Sequence, residues 1–188
     1  MRVFINDREV GSFPPSDATI GEIIEVLRAH VDPSEVVTAI ELDGRVFNAG
    51  DETQYGRRPS REVERFAIAT RTPRALAAEI HGEVRAALTI VAGKVERVIA
   101  LFRQGDDRGA NRLLAELMEE LRLALLLDRQ VASIDASLGE LPCDEVGAIA
   151  TALLDAQQHR AWGELGGLLE ARLLPALRGW SAGTASSF

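Results

Sequence analysis

Residues 100–128 read ALFRQGDDRGANRLLAELMEELRLALLLD. Gly105 closes one apolar-periodic stretch, and Asp106 or Asp107 opens another, so two helices meet here at a short polar turn. Taking about 100° per residue from Leu117, residues Ala110, Leu113, Leu114, Leu121, Ala124, Leu125 and Val131 fall within about 80° of it and form one inward stripe. Leu126 falls at about 180°, near Arg122 and Arg129, and Leu123 at about −120°. Those two leucines cannot share the core that Leu117 fills. A leucine left in water forgoes about 1.5–3 kcal/mol relative to burial. Some surface is therefore expected to cover them: the rest of this chain, a second copy, or a helix of another protein.

The same period extends on both sides of the hairpin. Leu76, Ile80, Val84, Leu88, Val91, Val95, Val98 and Phe102 recur at steps of three and four. They predict a long amphipathic helix with Thr72 as its cap and Pro73 in its first turn. Downstream, the second helix runs to about Ile134 or Leu138, and LGELPCDE forms a loop. EVGAIATALLDAQQ predicts a third helix with Val146, Ile149, Leu153 and Leu154 inward and Asp144 as cap. After a turn at His159–Arg160, Trp162, Leu165, Leu169, Leu173 and Trp180 line one side of a fourth helix that Pro175 should bend. Short connections favour antiparallel neighbours, so residues 73–180 are expected to form an antiparallel four-helix bundle. The small, polar residues 181–188 are expected to be a flexible tail.

Residues 1–72 follow a different rule. RVFIN alternates, Asn6–Asp7 is turn chemistry, and EVGSF returns as a second strand. Thr19 with Glu22 makes a capping box, after which Ile20, Ile23, Ile24, Leu27 and Val31 recur at helical spacing until Asp32–Pro33. VVTAIELDGRVF supplies a strand, an Asp43–Gly44 turn and a short strand. EVERFAIATR supplies a last strand, with Phe66, Ile68 and Thr70 on one side. The order β-β-α-β-β-β resembles the ubiquitin-like β-grasp fold. The chain is thus expected to be α+β, a β-grasp domain followed by the helical bundle. That class includes sulfur carriers and ubiquitin-like modifiers that act through a C-terminal Gly-Gly. Here the final strand runs into a helix, and Gly166–Gly167 is internal, so the resemblance implies a binding or scaffold module.

Gly105–Asp106, Ala110–Asn111, Leu113, Leu117, Leu121 and Leu127–Asp128 also resemble the central helical hairpin of small bacterial flagellar export chaperones. The likeness covers fewer than thirty residues, and those chaperones are helical throughout. It implies a protein as the partner class.

Composition narrows the alternatives. Nine basic and thirteen acidic residues lie in 1–72, twelve and sixteen in 73–188, and the net charge is −8. An acidic balance in both halves argues against nucleic acid and anionic membranes as partners. No apolar run approaches the roughly 18 residues that cross a bilayer. The N-terminus lacks the pattern of a secretory signal, so a cytoplasmic location is expected.

Neither metal nor cofactor chemistry is legible. One cysteine, Cys143, permits no disulfide within the chain. His30, His81 and His159 lie on separate elements and read as surface or capping residues. AGKV at 92–95 lacks the residues of a phosphate loop, and no nucleophile–base set or carboxylate pair stands out. GRRPSR, in the polar loop NAGDETQYGRRPS, is the only basic cluster, and a solvated insertion is the plainer reading of that loop.

No enzyme, catalytic residue, metal site or cofactor is expected. The expected role is that of an adaptor or chaperone-like protein binding a partner helix through Leu123, Leu126, Leu127, Arg122 and Arg129. Tyr55, Arg57, Arg58 and Arg61 form a second candidate contact. The alternative is a homodimeric structural protein using the same surface, and a third reading is an enzyme or carrier acting through the first domain.

Overall fold

A computed structural model of the chain describes residues 1–12, 18–28, 30–48, 52–138 and 141–183. The protein is α+β, a five-stranded mixed sheet followed by helices, and it divides into two compact units, Met1–Leu76 and Ala77–Phe188.

In the first unit, β1 (Arg2–Ile5) and β2 (Arg8–Ser12) pair antiparallel around Asn6 and Asp7. Both turn residues have positive φ, at 48° and 62°. That is the backbone twist a two-residue hairpin demands, and Asn and Asp tolerate it well. Asn6 also donates to the Thr70 hydroxyl at 2.7 Å and accepts the Thr70 N–H at 2.8 Å. Phe13, expected at the end of the second strand, lies outside the described residues.

β3 (Val36–Leu42) and β4 (Arg45–Asn48) turn at Asp43–Gly44, where φ is again positive, at 48° and 86°. Asp43 then accepts the N–H groups of Glu64 and Arg65 at 2.9 and 2.8 Å, which sets the start of β5 (Arg65–Arg71). β5 sits in the middle of the sheet, whose order is β2-β1-β5-β3-β4. It runs parallel to β1 and antiparallel to β3.

Helix α1 (Ile20–Arg28) starts in the capping box read from sequence. The Thr19 N–H donates to Glu22 at 2.7 Å, and the Glu22 N–H donates to the Thr19 hydroxyl at 3.3 Å. Ile20, Ile23, Ile24 and Leu27 share one core with Val3, Ile40, Leu42, Phe66 and Ile68. The helix ends at Arg28, so Val31 lies past it. Asp32 accepts from the Ser34 N–H and hydroxyl at 2.8 and 2.6 Å, a local turn that competes with further helix.

The polar loop expected after β4 is structured. Its residues 49–51 lie outside the described set, but helix α2 (Glu52–Tyr55) and a 3₁₀ turn at Ser60–Glu62 follow. The carbonyls of Arg58 and Gly56 accept the N–H groups of Ile20 and Gly21, both at 2.9 Å. Those donors belong to the first turn of α1 and have no partner inside their own helix. The loop satisfies them, which corrects its reading as a solvated insertion.

Helix α3 (Pro73–Arg103) starts in the last four residues of the first unit and supplies the first element of the second, where α4 (Asp107–Ile134) follows. Thr72 caps α3, its hydroxyl accepting the Ala75 N–H at 3.2 Å. Gly105 has φ 78°, and Asp106 caps α4 by accepting the Gly109 N–H at 2.9 Å. Lys94 pairs with Glu120, while His81 stands near Asp128, so α3 and α4 run in opposite directions. A short 3₁₀ turn, Ala136–Leu138, leads toward α5 (Cys143–Gln158). Gln157 bonds to Asn111 at 2.8 Å and Arg129 reaches Cys143, which makes α5 antiparallel to α4.

Two expectations for α5 are corrected. Pro142, not Asp144, occupies the cap position, and Asp144 lies in the first turn, where its charge suits the helix dipole. Leu154 is 54% exposed. It sits about 140° from Ile149, and Ala156 takes the inward place instead.

After the turn at Arg160 (φ 53°), the chain is helical to Ala182. The expected fourth helix is divided into α6 (Trp162–Leu168), a π-helical stretch Leu169–Leu173, and α7 (Leu174–Ala182). The described residues of this unit therefore hold five α-helices, not four. Pro175 supplies the physical reason. It has no N–H to donate to the preceding turn, and its ring would strike the carbonyl four residues back. A widened turn just before it relieves both problems. Gly183 (φ 76°) caps α7, so residues 181–183 are not tail, and 184–188 lie outside the described residues.

Candidate functional site

The stripe predicted for α4 holds. Ala110, Leu114, Leu117, Leu121 and Ala124 are buried, with Leu113 and Leu125 partly buried beside them, in one core with α3, α5, α6 and α7, and Val131 is buried further along the same stripe. Leu123, Leu126 and Leu127 are 47%, 53% and 48% exposed.

The structure separates the five residues expected to bind a partner. Leu123 and Leu127 face α3, where they line a groove of about 450 Å³ with Ile80, Ala87 and Ile90. Val84, Val91 and Ala124 form its floor, Glu83 stands at its side, and Lys94 and Glu120 close one end as an ion pair. Ile90, 63% exposed, is the most open apolar side chain in it. Leu126 is not among the groove residues. Arg122 is engaged within its own helix, Nε and Nη2 donating to Glu119 at 2.9 and 2.6 Å. That bidentate bond holds the Glu119 carboxyl below its ordinary range and pushes the Arg122 guanidinium higher. Arg129 turns to α5, where its guanidinium lies 3.9 Å from the Cys143 sulfur.

The second candidate contact does not survive as a unit. Tyr55 is only 1% exposed, with its ring 5.4 Å from that of Phe47 in the core of the first unit. It packs and is not available to a partner. Arg57 and Arg61 are exposed and Arg58 is half-buried, its backbone carbonyl serving α1.

One constellation escaped the sequence reading. His30 and His159 are exposed and turn a ring nitrogen to the carbonyls of Val26 and Asp155 near their helix ends. His81 is neither surface nor cap. It is mostly buried, with Nδ1 3.8 Å from an oxygen of Asp128, which is itself 2% exposed. The other Asp128 oxygen accepts the Leu141 N–H at 2.7 Å. Together with Arg85 and Trp180 they line a cavity of about 130 Å³ whose remaining walls are largely apolar. Trp180 Nε1 and His81 Nδ1 are buried without a hydrogen-bond partner among the described residues. Arg85 rests against Gly183, where an added Cβ would stand 2.3 Å from the guanidinium.

A signal was present in the sequence. Asp128 falls about 20° from Leu117, inside the apolar stripe, and His81 falls about 20° from Leu88 on α3. A charge on a core stripe calls for a partner.

Comparison with known proteins reaches only the first unit. Residues 1–72 match the family model of the TP0873 N-terminal domain. The match ends just before Pro73, the first residue of α3. No curated protein and no solved structure matches the chain. The comparisons give no support to the likeness with flagellar export chaperones. Among the described residues, no helix is long and apolar enough to cross a membrane, and no cluster of His, Cys, Asp or Glu could hold a metal ion.

Proposed function

We propose that the protein is an interaction module in which a helix from another protein lies in the groove between α3 and α4. The reading treats the first unit as a ubiquitin-like β-grasp domain, supported by the parallel β1–β5 pair at the centre of its sheet. It treats the second as an antiparallel four-helix bundle with α6 and α7 as one interrupted rod, supported by the order of side-chain pairs along the helices.

One observation carries the proposal: Ile90, Leu123 and Leu127 stand half-exposed around a single apolar groove. Burying the open part of each would contribute about 1 kcal/mol apiece. From Ile80 to Ile90 the groove follows α3 for about 15 Å, the length of nearly three helical turns. A helix with apolar residues at i, i+3 or i+4, and i+7 suits that length. Each copy carries a net charge of −8, which opposes self-association and favours a foreign partner over a dimer.

A photo-crosslinking residue at position 123 or 127, compared with position 126 outside the groove, tests this in cells. The reading requires one distinct protein crosslinked from 123 and 127 and not from 126. Adducts of twice the chain mass would select the dimer instead. Equal labelling from all three positions, or none, would remove the groove from consideration.

A further inference from the structure

The groove between α3 and α4 does not stop at the Lys94–Glu120 ion pair. Beyond it the same two helices line a second depression of about 550 Å³ that reaches the turn joining them, and Lys94 stands at the edge of both. From Ile80 to Leu101 the combined trough follows α3 for about 31 Å, nearly six helical turns. Its bed stays apolar, since Leu101 and Leu113 are packed partly buried on the core of the second unit. Its walls change. Arg97 of α3 and Arg112 of α4 are exposed along it and have no ion-pair partner among the described residues. Asp106 is committed to the Gly109 N–H, so among the described residues lining this half Glu116 is the one carboxylate without a partner.

We infer, on the reading that this groove holds a helix of another protein, that the helix is amphipathic with one acidic end. Its apolar stripe lies over Ile90, Leu123 and Leu127, and a cluster of carboxylates continues along its axis to the space between Arg97 and Arg112. The charge of the whole chain points the other way, because a net −8 attracts basic partners at long range. At contact the nearest charges decide, since salt screens exposed charges over about 8–10 Å. Here those charges are two guanidiniums against one carboxylate. A guanidinium presents a planar fork of N–H donors that matches a carboxylate, so acidic side chains engage both arginines in a way neutral ones do not. Basic side chains at the same place would meet two like charges. The Lys94–Glu120 pair between the two halves neutralises itself and favours neither sign.

Three fluorescein-labelled synthetic peptides of about 20 residues test this by anisotropy against the full-length chain. All share a helical stripe of leucines at i, i+4 and i+7, preceded by two turns whose outer positions are glutamate, glutamine or lysine. In low salt the glutamate peptide should bind about fivefold to tenfold more tightly than the lysine peptide, with glutamine between them, and the spread should shrink as salt is raised. Arg97→Glu combined with Arg112→Glu changes only exposed side chains and should invert the order, which separates groove charge from any difference in helicity among the peptides. Ile90→Glu combined with Leu127→Glu should abolish binding of all three. If the three peptides bind equally and that last variant still abolishes them, the groove stands and the acidic end is refuted. A preference for glutamate that survives the double arginine replacement refutes it as well. Binding by none of the peptides removes the groove itself, and the acidic end with it. Light scattering covers the remaining occupant: a dimer of the parent chain that the double arginine replacement returns to monomer would place a second copy in the trough and overturn the assignment.

Discussion

Replacing Gly109 by alanine should stabilise the protein only after Asp106 has been removed. In an ordinary helix the change from glycine to alanine gains about 0.8–1 kcal/mol. At position 109, however, the new Cβ would stand 2.2 Å from an oxygen of Asp106, the side chain that caps α4. Asp106 would have to swing aside, and losing such a cap costs about 1 kcal/mol. The two effects cancel, so Gly109→Ala alone should change stability by less than about 0.5 kcal/mol. Asp106→Ala alone should cost about 1 kcal/mol. In that background Gly109→Ala should recover most of the loss, giving a coupling energy of about 1 kcal/mol in the double-mutant cycle. Urea unfolding read by tryptophan fluorescence is the suitable assay, because both tryptophans, Trp162 and Trp180, lie in the helical unit. If Gly109→Ala stabilises the parent chain by the full propensity gain, the two substitutions are additive and the capping geometry argued for α4 is wrong.

Other outcomes follow from the same structure. Leu117→Ala, at a fully buried site, should cost about 2.7–5 kcal/mol, whereas Leu126→Ala should change the unfolding midpoint little, and comparable costs would mean the α4 stripe is misassigned. With the photo-crosslinking residue at position 123, Ile90→Glu combined with Leu127→Glu should leave the folded spectrum intact while removing the crosslink expected from the groove; a collapsed fold would show these residues to be core. Hydrogen bonds from the Thr19 N–H and hydroxyl hold the Glu22 carboxyl below its ordinary range. Its stabilising contribution is therefore present above the usual glutamate pKa and disappears as pH falls through the lowered one. An NMR titration should place the Glu22 midpoint below that of a free glutamate, and Thr19→Val, which removes the hydroxyl and keeps the backbone N–H, should move it only part of the way up; a midpoint at the free-glutamate position in the parent chain would exclude the capping box.

Much of the architecture was legible because its causes are local. The Thr19–Glu22 box, the positive φ at Asn6, Asp7 and Asp43, the Gly105 stop and the Asp106 cap all involve groups within a few residues of each other. Their geometry is set by the backbone itself, wherever the rest of the chain goes. The inward stripe of α4 belongs to the same class, since helical period alone fixes which side chains share a face. Leu154 shows the limit of reading one residue at a time, because its angle to Ile149, not its hydrophobicity, put it in water. Pro175 announced a disturbed helix, but its resolution as a π turn required knowing that Leu169, Leu173 and Leu177 must all reach one core.

By itself the sequence determined the period of each half, the places where elements start and stop, and the presence of leucines on α4 that its own core could not take. Only the tertiary structure decided that Leu123 and Leu127 share a groove with Ile90 while Leu126 does not. The burial of Tyr55 against Phe47, the central place of β5 and the meeting of His81 with Asp128 were decided there as well. Each depends on segments distant in sequence coming to lie side by side. Periodicity assigns a residue to a face, and only the packing of one element on another determines what that face meets.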